Sequence, residues 1–239
     1  VRRVVDRRQP EGGFARHHHR EDDDEQQPGE ECGDREADHR EEGAGLVVVG
    51  GVVGEHPPVL VRDAVAVHAG AVGLLLTAFE DPNPVMFFEH KALYRSYKSQ
   101  VPDDYYTLEL GKAKTIKEGN DVAIITYGMG VHWAIKVVED LNISADVVDL
   151  RTLVPLDVET INKSVKKCGK VIVLHEDIVT GGIGGEISAL INENCFEYLD
   201  APVVRCGSLD TPVPFHADLE NNFLPVERFK EQLKKLISY

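Results

Sequence analysis

The order of apolar and polar positions divides the chain into two unlike parts. From about residue 71 onward, short apolar runs alternate with stretches whose apolar residues recur at helical spacing. That pattern predicts a parallel α/β sheet rather than a bundle or a sandwich. Residues 73–80 (GLLLTAFE) read as a short helix, Asp81-Pro82-Asn83-Pro84 as a turn and residues 85–88 (VMFF) as a buried strand. A polar connector over 95–106 contains Pro102-Asp103-Asp104, which marks a domain boundary. Residues 121–127 (DVAIITY) predict a strand covered on both faces by helices. Gly128-Met129-Gly130 then turns the chain into a helix with Val131, Ala134, Ile135, Val138 and Leu141 on one stripe.

The remaining elements follow the same rhythm. Residues 145–150 (ADVVDL) predict a strand. Asp157 is placed to cap a helix with Val158, Ile161 and Val165 on one face. Lys166 and Lys167 fall where the negative end of that helix favours cations, and Gly169 supplies a left-handed stop. Residues 171–174 (VIVL) predict a third strand running into His175-Glu176-Asp177. A glycine run, 181–185, leads to a helix carrying Ile187, Leu190 and Ile191. Residues 202–206 (PVVRC) predict a fourth strand suited to a sheet edge by its proline. The last helix is predicted to start near Pro225, with Val226, Phe229, Leu233, Leu236 and Ile237 on one side. Four strand–helix units make one doubly wound, mostly parallel α/β domain.

Composition sets the first 70 residues apart. They contain nine Arg and no Lys, and no Ser, Thr, Asn, Ile, Tyr, Met or Trp, whereas residues 71–239 contain 13 Lys and four Arg with Ser, Thr, Asn, Ile and Tyr in ordinary supply. Residues 1–45 are too poor in apolar side chains to offset chain entropy, which predicts disorder. The joint absence of so many residue types favours a segment that is not the native continuation of the gene product, arising by a frame error, an opposite-strand reading or a fusion. A metal-binding role for His17-His18-His19 and Asp22-Asp23-Asp24 lacks ligand spacing. No function and no share of the core is expected from residues 1–70.

A net charge of −15 argues against nucleic-acid binding, which needs a cationic surface to displace counterions from phosphates. The longest apolar run, residues 46–54, falls well short of the roughly 20 residues a membrane span requires. Cys32, Cys168, Cys195 and Cys206 fit neither a zinc site nor a disulfide framework, so a soluble protein of a reducing compartment is expected.

Candidate chemistry is sparse. The glycine run 181–185 lacks the spacing of a dinucleotide fingerprint and follows the third strand, so close helix packing is the preferred reading. Gly128-Met129-Gly130 does follow a first strand, as a phosphate contact or simply a tight turn. His175 between two acidic neighbours at a strand's carboxyl end reads as an acid or base, or as part of a structural network at a domain or subunit contact. Asp81, Asn83 and the backbone of Ala78 offer carboxylate, amide and carbonyl oxygens of the kind a hard cation takes, in what is otherwise a plain turn. Nucleophile motifs are absent, and no catalytic or cofactor-binding residue is assigned.

Several stretches carry a resemblance to a known family. EDPNPVMFFEHKALYR (80–95) resembles the end of the pyrimidine-binding domain in beta subunits of thiamine-diphosphate-dependent 2-oxo acid dehydrogenases. DVAIITYGMGVHWA, VVDLRTLVPLDVETINKSVKKCGKVIVLHE, TGGIGGEI and LDTPVPF resemble the transketolase-like C-terminal domain of the same subunits. The resemblance implies the end of a pyrimidine-binding domain over 71–106 and a C-terminal domain over 107–239. It further implies oxidative decarboxylation of a 2-oxo acid with acyl transfer to lipoamide, the branched-chain (2-oxoisovalerate) type being the reading carried forward beside the pyruvate and acetoin types. Thiamine diphosphate would be bound mainly with an alpha subunit, with Mg²⁺ on that partner. The implied assembly is a heterotetramer that docks a lipoyl acyltransferase core in a bacterial cytoplasm. A potassium ion would be held by the Ala78 carbonyl, Asp81 and Asn83. The family's pyrimidine-contacting glutamate and active-site histidine lie upstream of the matched part and have no counterpart in residues 1–70, so no catalytic residue is carried over. A non-catalytic docking module, or another thiamine enzyme of the transketolase family, is the alternative.

Overall fold

A computed structural model describes residues 59–62, 68–97 and 100–239. Residues 1–58, with their histidine and aspartate runs and Cys32, lie outside the described residues, and so do the expectations of disorder or foreign origin placed on them.

The five-stranded sheet is built from β3 (Lys114–Lys117), β4 (Val122–Thr126), β5 (Ala145–Asp149), β7 (Val171–Ile178) and β8 (Val204–Ser208), in the order β3-β5-β4-β7-β8. β4 pairs in parallel with both β5 and β7, and β7 with β8; β3 alone is antiparallel, against β5. Strands β4 and β5 are buried at every position, as the predicted two-sided cover demands. Side chains alternate across the sheet. Val122, Ile124, Val147 and Leu174 meet α3 (Met129–Leu141) and α7 (Val226–Ile237) on one face. Ala123, Ile125, Val148 and Val173 meet α4 (Val158–Cys168) and α5 (Gly184–Cys195) on the other. The result is a three-layer, doubly wound α/β domain.

Local chemistry explains the helix limits. Asp157 accepts from the Thr160 N–H at 3.0 Å, capping α4 as predicted, and accepts also from the Ala113 N–H at 2.9 Å and the Thr160 hydroxyl at 2.8 Å. Gly169 closes the helix at φ +70°, a backbone conformation that side chains with a Cβ rarely adopt. In α7, Phe229, Leu233 and Leu236 are buried while Glu227, Glu231, Lys234 and Lys235 face solvent. On α3 the buried stripe includes Val137, and Ile135 is only partly covered.

A second, three-stranded sheet has the order β2-β1-β6. Its middle strand is β1 (Val59–Arg62), parallel to β2 (Val85–Phe88) and antiparallel to β6 (Thr152–Val154). This corrects the expectation that nothing before residue 71 joins the folded part: β1 supplies the backbone partners of two strands, and α1 (His68–Glu80) begins three residues before that boundary. Predicted as buried, β2 is half-exposed instead, with Met86 at 43%, because it forms the sheet's edge. On α1, Leu74 is fully buried against Val85, Phe87, Leu108 and Leu110. The edge strand β3, the short α2 (Leu93–Ser96) and α6 (Ala217–Phe223) have no counterpart in the sequence reading. Among the described residues, no helix is long and apolar enough to cross a membrane.

Burial pushes the Asp157 carboxyl up, but the hydrogen bonds from Thr160 and Ala113 outweigh it and hold the group below the ordinary carboxylate range. A folded-state pKa below the unfolded one stabilises the fold above the unfolded value of about 3.9, and that contribution is lost as the pH falls through the folded one. Asp157→Ala is expected to cost about 1–2 kcal/mol near neutral pH in urea denaturation. The gap between parent and variant should narrow on acidification below about pH 4.

Candidate functional site

In an open α/β sheet the ligand crevice lies beyond the carboxyl ends of the strands, where neighbouring connections leave in opposite directions. Here that place is between β4 and β7. The chain leaves β4 through α3 to build β5 on one side, and leaves β7 through α5 to build β8 on the other. Two glycine turns, at 128–130 and 181–185, border it.

Both turns pack closely on the chain's own side chains at Gly130, Gly182 and Gly184. A Cβ at Gly184 would come within 2.4 Å of His175 Nε2, one at Gly182 within 2.9 Å of His175 Cε1, and one at Gly207 within 3.0 Å of the same carbon. The His175 imidazole, wholly buried in β7, thus lies in a cradle of three glycines. The close-packing reading of the glycine run is borne out. Gly130 is similarly pressed on Thr126, whose Oγ1 would be 2.2 Å from an added Cβ, and Gly128 takes φ +57° to make the bend. A Cβ at Gly181, by contrast, would meet nothing within 4 Å.

The next residue along β7 turns outward. Glu176 meets His90 Nε2 at 3.1 Å, joining the C-terminal sheet to the segment after β2. Tyr97, from the same segment, stacks on His132 in the first turn of α3 with ring centroids 3.8 Å apart. The crevice is therefore bordered by the upstream segment of this chain. Of the two readings of His175-Glu176-Asp177, the structural network at a domain contact is the one the geometry supports. Ser208 Oγ donates to the Glu176 carbonyl at 2.5 Å, tying β8 into that contact.

The predicted cation turn is intact. The Asp81 N–H bonds the Thr77 carbonyl at 3.0 Å, and Asp81 Oδ1 accepts from both the backbone N–H (2.8 Å) and the side-chain amide (3.0 Å) of Asn83. The helical hydrogen bond to the Ala78 carbonyl would come from residue 82, a proline with no N–H. A carbonyl left so at a helix C-terminus, beside a carboxylate, suits a cation. Among the described residues, no group of three or more His, Cys, Asp or Glu is arranged to hold a metal.

Two features escaped the sequence reading. Asp146, 2% exposed in β5, floors a recess of about 230 Å³ lined also by Thr115, Lys163, Ser164 and Lys167. It accepts from the Ser164 hydroxyl at 2.5 Å and pairs with Lys167 Nζ. The strand reading took Asp146 only as part of a run; the lysines four apart on α4 were the available signal. Asp210 accepts from the Thr180 N–H at 2.9 Å and its hydroxyl at 2.6 Å, clamping the glycine turn to the loop after β8. The three described cysteines are free and buried. Burial pushes the Cys168 thiol up to about 11 and the Cys206 thiol up to about 12, so neither is a thiolate nucleophile near neutral pH.

Residues 111–228, which include the whole switch point, match the family profile of the transketolase C-terminal domain. Over 158 residues the chain is 47% identical to the pyruvate dehydrogenase E1 component subunit beta of Bacillus subtilis, and over 158 residues 46% identical to the 2-oxoisovalerate dehydrogenase subunit beta of the same organism. These alignments cover 65% and 64% of this chain and 48% of each relative. The mitochondrial 2-oxoisovalerate dehydrogenase subunit beta of Dictyostelium discoideum is 43% identical over 175 residues, covering 71% of this chain and 46% of the relative. A solved split-gene transketolase, an inactive β4 tetramer, superposes with a TM-score of 0.60 at 27% identity, covering 76% of this chain and 57% of that one. Over this part the chain is similar to the beta subunits of 2-oxo acid dehydrogenases. It spans about half the length of the curated relatives it matches.

The cradle yields a paired prediction. Gly184→Ala forces the buried His175 ring to move and is expected to destabilise by about 1–3 kcal/mol. Gly185→Ala meets only Arg205 Nη1 at 3.6 Å, an ordinary contact, and is expected to stay within about 0.5 kcal/mol of the parent. Urea midpoints of the two variants provide the comparison.

Proposed function

We propose that this chain serves as the C-terminal part of the beta subunit in the decarboxylating component of a 2-oxo acid dehydrogenase. The reaction is oxidative decarboxylation of a 2-oxo acid with acyl transfer to lipoamide, and 2-oxoisovalerate is the substrate proposed. The observation that carries the reading is 41–47% identity to E1 beta subunits over 158–172 residues, together with the transketolase C-terminal domain match over 111–228. Residues 71–106 are proposed as the end of the pyrimidine-binding domain and residues 107–239 as the C-terminal domain. The partners proposed are an alpha subunit, in a heterotetramer, and the lipoyl acyltransferase core. The bacterial cytoplasm is the proposed compartment, in keeping with the free buried thiols.

Among the described residues none is assigned to thiamine diphosphate. At the two glycine turns His175 packs on Gly182 and Gly184 and Thr126 on Gly130, while the space at Gly181 is open. The cofactor and its Mg²⁺ are accordingly assigned to other parts of the assembly, the alpha subunit above all. What this chain's residues do is structural: the buried sheet holds the His90–Glu176 and Tyr97–His132 contacts that fix the upstream segment on the C-terminal domain.

The fit to the second implied group is better. Potassium is proposed at the Ala78 carbonyl, Asp81 and Asn83, supported by the turn geometry and by the missing N–H of Pro82.

The fact that no described residue is assigned to catalysis favours a second reading, a non-catalytic docking module. Co-expression with the alpha subunit of the same organism separates the two. Copurification with 2-oxoisovalerate-dependent acyl transfer is the outcome of the first reading; copurification without turnover is that of the second. Failure to copurify removes both. For potassium, raising KCl to tenfold the dissociation constant should stabilise the chain by about 1.4 kcal/mol, or roughly 3 °C in melting temperature. NaCl at equal ionic strength should not, and Asp81→Ala should abolish the difference.

A further inference from the structure

The loop between β8 and α7 leaves the domain at the carboxyl end of the sheet and displays apolar side chains outward. Phe215 is 100% exposed, Val213 61%, Leu219 58% and Leu209 41%. Scattered exposed apolar residues need no explanation, but four within eleven positions of one excursion do.

The excursion is held, not loose. Arg228, on α7, donates to the Gly207 carbonyl at 3.1 Å, the Phe223 carbonyl at 2.7 Å and the Asn222 carbonyl at 2.8 Å, closing the two ends of the loop on one guanidinium. The Leu209 N–H bonds the Phe223 carbonyl at 3.2 Å. Asp210 is fixed to Thr180 by two hydrogen bonds, and they hold its carboxyl below the ordinary range. Pro212 and Pro214 each lock a backbone φ on the way to Phe215. A compact loop with pinned ends and a stiff tip presents its side chains already ordered, which lowers the entropic cost of binding.

Charge selects the kind of partner. Between residues 206 and 227 the chain has no Lys and no Arg; Asp210 is held by Thr180 and near Arg205, which leaves Asp218 and Glu220 as the acidic residues following the exposed Phe215. A second copy in a two-fold dimer would set this acidic rim against itself, on a chain that already carries a net charge of −15. We propose that residues 209–219 form a docking finger for a different polypeptide, one that offers an apolar socket rimmed by Lys and Arg. The inference rests on the reading that this chain works inside an assembly, and it names the surface by which it does so. The finger stands on the same side of the sheet as the glycine turn after β7, to which Asp210 ties it. Docking there brings the partner up to the crevice side of the domain rather than to the helical faces.

The test uses the full chain with the alpha subunit of the same organism as the probe. Phe215→Ser, at a fully exposed position, should leave the melting temperature of the isolated chain unchanged and weaken binding by about 10- to 100-fold. Phe196→Ser is the control: Phe196 is also exposed, at 74%, but follows α5 at the opposite end of the sheet, and the variant should bind as the parent does. The parent's affinity should fall as NaCl is raised, in keeping with an acidic rim on a basic one. Unchanged affinity for Phe215→Ser beside a parent that binds overturns the finger and leaves the assembly standing. A parent that does not bind the alpha subunit overturns both. Self-association of the parent that Phe215→Ser abolishes would make a second copy the occupant and overturn the proposal.

Discussion

The structure depends on one constraint: β4 and β5 have no face turned to water. Every side chain of these strands is buried, so each alternate residue needs helical cover on its own side. That requirement places α3 and α7 on one face and α4 and α5 on the other. Each fully buried Ile or Leu contributes about 1.5–3 kcal/mol, and the two clusters together hold most of the large buried side chains. Charges taken into the same layers are tolerated only with partners. Asp146 is answered by Ser164 and Lys167, and Asp149 accepts from the Arg151 N–H at 3.2 Å.

The same economy of space governs the switch point. There an imidazole is seated on glycines, and His90 and Tyr97 of the upstream segment meet Glu176 and His132. The Asp210–Thr180 clamp ties the loop after β8 to the glycine turn.

Much of the C-terminal domain was legible in the residues. The run over 121–127 could only be a two-sided strand, and Asp157 and Gly169 marked the ends of α4 through side-chain and backbone chemistry that act within a few residues. The edge strand β3 was not legible: KTIK carries neither an apolar run nor a long alternation, and it becomes a strand because β5 offers it hydrogen-bond partners. β1 was missed because the composition of the region around it is so unlike a folded domain that a strand of four residues carried no weight.

The candidate site divides along the same line. Local order along the chain determined that the domain is α/β and doubly wound, that the glycine run packs a helix closely, and that Asp81 and Asn83 share a turn, because each rests on contacts between near neighbours. Only the folded chain decided that His175 is cradled by Gly207 as well as by Gly182 and Gly184, that Glu176 reaches His90 across 86 positions, and that Arg228 closes the loop it follows. Those contacts join residues distant in sequence. Their partners are set by the strand order, which no local pattern of polar and apolar residues encodes.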